Sequence, residues 1–210
     1  MIDLYTWMTP NGRKISIALE EMGLDYTVHE VNIGQGEQNA PEFAKLSPNN
    51  KIPAIIDREA GRPMMESGAI LLYLAQKTGK LMPQGEDDYW QAMQWLMWQM
   101  AHFGPMLGQA HHFLFFNEGK APYAEERYEK EAKRLYQVLD DRLAERDYVV
   151  DDYSIVDIAI WPWASRFPRQ RIDLNDFPNV KRWYLAIAER PAVQRGYDVP
   201  KRGEEITMPD

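Results

Sequence analysis

Three short stretches combine side chains and backbone in ways that could do chemistry. The first is Thr9-Pro10-Asn11-Gly12, set between a strand-like apolar run and an amphipathic one. As structure, Thr9 caps a helix, Pro10 takes its first position, and Gly12 at the third position leaves no capping box. As chemistry, the same geometry offers free N–H groups and a positive partial charge to an anion. A thiolate is such an anion, and the Thr9 hydroxyl and the Asn11 amide could both donate to it. The second stretch is Lys51-Ile52-Pro53. Most X-Pro bonds in folded proteins are trans; a cis bond here would turn the Ile52 backbone toward a sheet edge, where it could pair with an extended, peptide-like ligand. The third, Glu66-Ser67, opens an apolar helix. It is either an acid near the positive helix end or a nest in which Ser67 holds a ligand carboxylate and Glu66 its ammonium.

Other candidates carry less. His111 and His112 are adjacent, so in a helix they point about 100° apart and rarely share a metal. No carboxylate–histidine spacing supports a metal site, and none is expected. The neighbouring run 113–116, FLFF, reads as core or pocket lining. Ser154-Ile155-Val156-Asp157 has the spacing of a capping box with Asp in place of Glu, a device whose loss costs about 1 kcal/mol. Arg127 sits amid Glu125, Glu126 and Glu131. It is either one half of a solvated ion pair, worth ~0–1 kcal/mol, or a guanidinium that reaches across an interface to a carboxylate.

The elements that must position these groups follow from periodicity. Residues 2–6 read as a strand and 12–22 as a helix with Ile15, Ala18, Leu19 and Met22 on one stripe; Gly23 stops it. Residues 26–33 alternate as a strand does, 34–43 is a loop, 47–57 gives a turn and a short strand, and 61–65 a turn and an extended piece. Residues 66–79 are apolar on nearly all sides, hence a buried helix. The order β-α-β-(short α)-β-β-α describes an α/β unit on a four-stranded sheet. The stretch KLMPQGEDD is the domain boundary. Beyond residue 86 only helices are expected. Trp90, Met93, Met97 and Met100 form one stripe, broken at Gly104–Pro105. Tyr128, Ala132, Leu135, Leu139 and Leu143 form another. Two more helices lie at 154–167 and 178–190, before a polar tail.

Composition bounds the function. The 210 residues are 45% apolar and 27% charged, so a core can form without staples. Seven tryptophans and eleven methionines suggest an aromatic core or a soft-walled pocket. A net charge of −8 argues against nucleic-acid binding. The absence of cysteine excludes a disulfide framework, thiolate metal ligands and a protein-borne dithiol. MIDLYT lacks the features of a signal peptide. Apolar runs such as 69–75 fall far below the ~20 residues that span a bilayer. A soluble, cytoplasmic protein that binds no membrane is expected.

Taken together, the Thr-bearing first loop, NKIPAI, ESGAILLYL and an all-helical second half with YSIVDIAIWPW resemble a cytosolic glutathione transferase, and the resemblance spans essentially the whole chain. TPNG, SPNNKIPAI, GPMLGQAHHF, PYAEERY and PRQRIDL resemble its nu class, whose members look like glutathione-dependent disulfide-bond oxidoreductases. The resemblance implies a thioredoxin-like domain at 1–82, a helical C-terminal domain at 87–210, and a homodimer. It implies one or two glutathiones, or glutathione disulfide, per subunit. It puts Thr9 and Asn11 at the glutathione sulfur, and Thr9 rather than Tyr5 matches the loop hydroxyl. It puts Lys51, Ile52 and a cis Pro53 at the cysteinyl part, Glu66 and Ser67 at the γ-glutamyl end, and Gln38 at the glycine or backbone. Arg127 would come from the partner subunit. The activity implied is reduction of a small-molecule disulfide by a bound glutathione thiolate, with some transferase or peroxidase activity. A conventional transferase acting on an electrophile, or a non-catalytic binding module, are the alternatives. A large apolar pocket from Trp7, Met8, Met106, Phe113 and Phe116 would favour conjugation.

Overall fold

In the computed structural model, which describes residues 1–201 and 203–210, the opening apolar run forms β1 (Ile2–Thr6). It is followed by α1 (Pro10–Met22), β2 (Tyr26–Glu30), α2 (Pro41–Leu46), β3 (Ala54–Asp57), β4 (Arg62–Met65) and α3 (Ser67–Thr78). The four strands form one sheet in the order β2-β1-β3-β4. β1 and β2 run parallel; β3 is antiparallel to β1 and to β4. The interior strands bury Ile2, Leu4, Ala54 and Ile55, and β2 and β4 are the edges; an edge strand such as β4 tolerates Pro63. α1 is buried on every side from Gly12 to Leu19, because α3 and a later helix both pack on it. It ends as its sequence implies: Gly23 takes φ 70° and donates to Glu20, while Leu24 N–H reaches Leu19 O at 3.0 Å. β2 stops at Glu30 rather than 33. Asn32 then caps a tight turn, its Oδ1 accepting the Gly34 N–H at 3.0 Å.

The described residues divide into two units: Met1–Leu81 with Glu189–Ile206, and Met82–Ala188 with Thr207–Asp210. The expected 87–210 unit is thereby corrected at its end, since 189–206 belong with the sheet. The reason is local complementarity between α1 and α9 (Pro191–Tyr197). Gly196 lets the backbones touch: a Cβ there would lie 2.6 Å from Ile17 Cα. Ser16 Oγ donates to Gly196 O at 2.6 Å, Arg190 pairs with Glu21 at 2.7 Å, and Arg195 pairs with Glu20 at 2.6 Å. The buried Arg13 lies 3.5 Å from the Tyr197 ring centre and donates to Tyr197 O.

The second unit contains α4 (Glu86–Trp98), α5 (Gly104–His111), α6 (Pro122–Leu143), α7 (Ile155–Ala164) and α8 (Pro178–Ala188). Gly104–Pro105 does not break the first helical stretch. In a regular helix the Pro105 ring would collide with the carbonyl four residues earlier. A widened turn at Gln99–Phe103 avoids this, and the Gly104 N–H bonds Gln99 O, five residues back. The buried stripe of α4 and this turn is also not the one expected. Ala92, Leu96 and Phe103 face inward, whereas Trp90 and Met97 are 56% and 46% exposed. α6 buries Ala132, Leu135, Leu139 and Leu143 as expected, with Tyr128 half-buried and stacked on Phe113. The capping box of α7 is present: Ser154 Oγ accepts the Val156 N–H, and Asp157 accepts the Ser154 N–H at 3.0 Å. Asp157 also accepts Val149 N–H and Trp183 Nε1–H. Burial pushes its carboxyl above the usual range, against these donors. Among the described residues no helix is long and apolar enough to cross a membrane.

Candidate active site

Sheet register gathers the first three stretches. Tyr5 pairs with Ala54, and Ala54 with Met65. The chain after β1, the chain before β3 and the chain after β4 therefore emerge at one end of the sheet. β2 runs parallel to β1, with Thr6 opposite Glu30, so the segment bearing Gln38 leaves from the same end. One sheet end thus carries Thr9 and Asn11, Lys51-Ile52-Pro53, Glu66-Ser67 and the Gln38 turn.

Thr9 is the N-cap of α1, with φ −119° and ψ 159°, and its Oγ1 accepts the Gly12 N–H at 3.1 Å. That bond occupies a lone pair and leaves the hydroxyl hydrogen for another acceptor. Thr9 and Asn11 are both half-buried. Tyr5 turns elsewhere: its ring stacks on His29 at 4.5 Å and packs against a cluster of Val31, Phe43 and Ala54. Gly12 is fixed by space, because a Cβ would lie 2.3 Å from Trp7 O and 2.4 Å from Thr6 Oγ1. The loop is braced from the C-terminal side. Lys201 Nζ sits 4.8 Å from the Trp7 ring centre, and a Cβ on Gly203 would come within 2.3 Å of Met8 Sδ.

The Ile52–Pro53 bond is cis. Ile52 precedes the ladder that begins at Ala54, and its side chain packs on the same Val31–Phe43–Ala54 cluster. Lys51 is exposed, with its carbonyl held by Ser47 Oγ at 2.8 Å. Gln38 Oε1 and Asn50 Oδ1 are shielded from solvent and accept no hydrogen bond among the described residues. Buried acceptors of that kind point to a missing partner.

Glu66 adopts φ 68° and ψ 112°, a conformation rare for a side chain with a Cβ, and sits at the cap of α3. Such strain collects at functional sites. No side chain caps α3 among the described residues, and Ser67 is buried at its first position. Beneath them is a residue the sequence reading missed. Lys14 is 1% exposed and donates from Nζ to Ser67 Oγ at 3.3 Å. Burial pulls its ammonium down to about 7, with Glu66 opposing. The signal was available: Lys14 is in register with Ala18 and Met22 on the apolar stripe of α1.

Arg127 lies in the other unit, on α6, exposed and lining a groove of about 460 Å³ with Tyr123, Tyr128, Met106 and Glu131. The ion pair expected as its default is absent among the described residues. Glu126 is engaged by Lys130, Glu131 by Arg134, and Glu125 by the Gly119 and Ala121 N–H groups. His111 is buried against Gln170 at 3.1 Å and Trp163, while the exposed His112 contacts Asn117. Among the described residues no group of three His, Asp or Glu side chains could hold a metal. Of the FLFF run only Leu114 is buried; Phe115 and Phe116 are 50% and 63% exposed, so the run is not core.

Residues 1–76 match the N-terminal domain model of glutathione S-transferases, and residues 95–191 the C-terminal domain model. The chain is 48% identical over 98% of its length to the disulfide-bond oxidoreductase YfcG of Escherichia coli, covering 98% of that protein. A glutathione transferase from Pseudomonas putida, solved with one glutathione disulfide per subunit, superposes with a TM-score of 0.91 at 45% identity, covering 95% of this chain and 91% of that one. Another from Burkholderia graminis, solved with two glutathione molecules per subunit, gives 0.89 at 47% identity, covering 96% and 89%.

Proposed function

The chain belongs to the glutathione S-transferase family, and from that premise we propose that it is a glutathione-dependent disulfide reductase of the nu-class type. The observation that carries the reading is a thioredoxin-like unit with no cysteine, whose first helix presents its N-terminus and the Thr9 hydroxyl hydrogen. Such a unit supplies an anion cradle but no sulfur. Glutathione supplies the sulfur. Its thiolate, held by Thr9, Asn11 and the end of α1, attacks a disulfide RSSR′, forms GSSR and expels R′S⁻. A second glutathione thiolate then attacks the glutathionyl sulfur of GSSR, forms glutathione disulfide and expels RS⁻, and each thiolate leaving group takes the proton its attacker lost. Ile52, with Lys51 and Pro53, holds the cysteinyl backbone; Glu66 and Ser67 hold the γ-glutamyl end; Gln38 meets the glycine end.

The active form is a cytoplasmic homodimer, a reading supported by the apolar side chains of Trp90 and Met97 left open on the single chain. Arg127 completes the site from the partner subunit, a reading supported by its guanidinium making no ion pair among the described residues. Charged walls around Arg127 suit a polar tripeptide better than an apolar electrophile. Parallel assays with hydroxyethyl disulfide and chlorodinitrobenzene test the reading. The disulfide is expected to turn over much faster; the reverse ranking makes the protein a conjugating transferase. Failure to bind immobilised glutathione rejects both.

A further inference from the structure

The loop that carries Thr9 is held partly by its own backbone and partly by a distant stretch of its unit. Within the loop Trp7 is the hub. Its carbonyl accepts the Thr9 N–H at 2.7 Å and the Thr6 hydroxyl at 3.4 Å. The Thr9 carbonyl in turn accepts the Arg13 N–H at 3.0 Å. The Trp7–Thr9 bond closes a turn of only three residues. A single bond exchanged for bonds to water gives little net order, so the turn depends on what packs against it.

That packing comes from Lys201, Gly203 and Glu204, which belong to the same unit. Lys201 Nζ lies 4.8 Å from the Trp7 ring centre and 3.5 Å from Glu30 Oε2. Glu30 ends β2 opposite Thr6, so one ammonium ties the end of β2 to the first residue beyond β1. Gly203 lies so close to Met8 that a Cβ would come within 2.3 Å of the sulfur. Glu204 Oε1 lies 3.7 Å from Nη1 of Arg13. Trp7 and Arg13 flank Thr9 in its backbone hydrogen-bond chain, and both are touched from this stretch.

We propose that Lys201 is a positioning residue of the thiolate cradle: through the Trp7 ring it fixes the turn that aims the Thr9 hydroxyl, and so sets how strongly a thiolate is held there. This rests on the glutathione reading above. A cation is drawn to the face of an indole ring and not to its edge, so the contact fixes the orientation of Trp7 as well as its place. The ion pair with Glu30 is half-exposed and adds little by itself; its use is to keep the ammonium over the ring. An exposed cation–π contact biases an equilibrium by about two- to fivefold. Lys201 therefore tunes the cradle, while Thr9 and the end of α1 remain without it.

The test compares Lys201→Gln, Lys201→Arg, Trp7→Leu and the double variant Lys201→Gln/Trp7→Leu by two measurements. Amide hydrogen exchange of the ligand-free protein, followed by NMR, reads the Thr9 N–H. The absorbance titration of bound glutathione reads the thiolate. In Lys201→Gln the Thr9 N–H should exchange about two- to fivefold faster. The acid dissociation constant of the bound thiol and the kcat for disulfide reduction at neutral pH should fall by a similar factor, with the KM for glutathione nearly unchanged. Lys201→Arg keeps a cation over the ring and should restore both readouts. Lys201→Gln should add nothing to Trp7→Leu, because the lysine acts through that ring. Additive losses would mean that its charge acts without Trp7, and overturn the proposal. Unchanged exchange in Lys201→Gln overturns it too, as does faster exchange with an unchanged thiol titration, which leaves Lys201 a structural brace. A wild type that binds no glutathione overturns the glutathione reading and the proposal with it, a distinct result because it needs no variant.

Discussion

Thr9→Ala separates two jobs that meet on one oxygen. In the structure Oγ1 accepts the Gly12 N–H at 3.1 Å. Loss of that cap costs about 1 kcal/mol, which in a chain of this size lowers the melting temperature by roughly 2–4 °C. The proposal gives the hydroxyl hydrogen a separate use, at the glutathione thiolate. A hydrogen bond to a charged group is worth about 1.5–3 kcal/mol, so its loss should raise the bound glutathione thiol by about 1–2 pKa units. The N-terminus of α1 survives the substitution and contributes about 0.3–1 kcal/mol to an anion. The bound thiol should therefore remain more acidic than free glutathione, by less than one unit. In the proposed site Ile52, Glu66 and Ser67 hold the rest of the tripeptide, so glutathione affinity should change little.

The assay is a pH titration of the ultraviolet absorbance of the bound thiolate, run beside calorimetric affinity and disulfide turnover. Turnover at neutral pH should fall about tenfold to a hundredfold, following the thiolate fraction. Thr9→Ser keeps both functions of the oxygen and should restore the titration and most of the stability. A Thr9→Ala protein that melts lower but titrates its bound thiol as the wild type does would leave Thr9 as a helix cap and nothing more.

Three further outcomes follow from the same geometry. Gly12→Ala should destabilise by about 1–3 kcal/mol in urea unfolding and raise the KM for glutathione, because a Cβ meets Trp7 O at 2.3 Å; a stabilised protein, the outcome propensity alone favours by about 1 kcal/mol, would refute that crowding. Burial pushes the Asp57 carboxyl up, but the Tyr73 hydroxyl, Lys77 and the Glu59 N–H outweigh it and hold it at about 2, against 3.8 unperturbed. Its contribution, ~2 kcal/mol, is thus present above about pH 4 and lost as pH falls through that window, so Asp57→Asn should flatten the acid limb of a stability–pH curve; an unchanged limb refutes it. Arg127→Ala should leave the circular dichroism intact, since no ion pair among the described residues is lost, and weaken glutathione about tenfold; normal affinity would remove Arg127 from the site.

Local signals carried the fold. The apolar stripe of α1, the glycine stop at Gly23 and the capping box at Ser154 each act within a few turns of chain, and each is where the sequence put it. What was not legible depends on distant partners. The polar tail joins the first unit because Gly196 permits contact with Ile17 and because Arg13 needs the Tyr197 ring. Neither pairing has a periodicity to read. The helix crosses Gly104–Pro105 by widening one turn, a choice made by packing and not by propensity. Trp90 and Met97 misled because a periodic apolar stripe says that a face is apolar, not what covers it. At the proposed site, turn and cap chemistry marked Thr9, Ile52-Pro53 and Glu66-Ser67 as candidates, and the family resemblance gave them their roles. Lys14 was not, because a lysine between buried positions reads as a snorkelling surface residue until its neighbours are known.

The chain carries −8 overall, and the proposed glutathione thiolate would add more negative charge. Attraction must therefore be local. Two helix N-termini, those of α1 and α3, open at the same sheet end, and Lys14 joins their first turns through Ser67. Fields from backbone termini and a buried ammonium act in a low-dielectric setting, where a charge counts for several times its value in water. The surface carboxylates act across solvent and fade beyond about 8 Å at physiological salt. An acidic protein can hold an anion here because the near field is buried and the far field is screened. The thioredoxin-like unit needs no sulfur of its own once that near field is built.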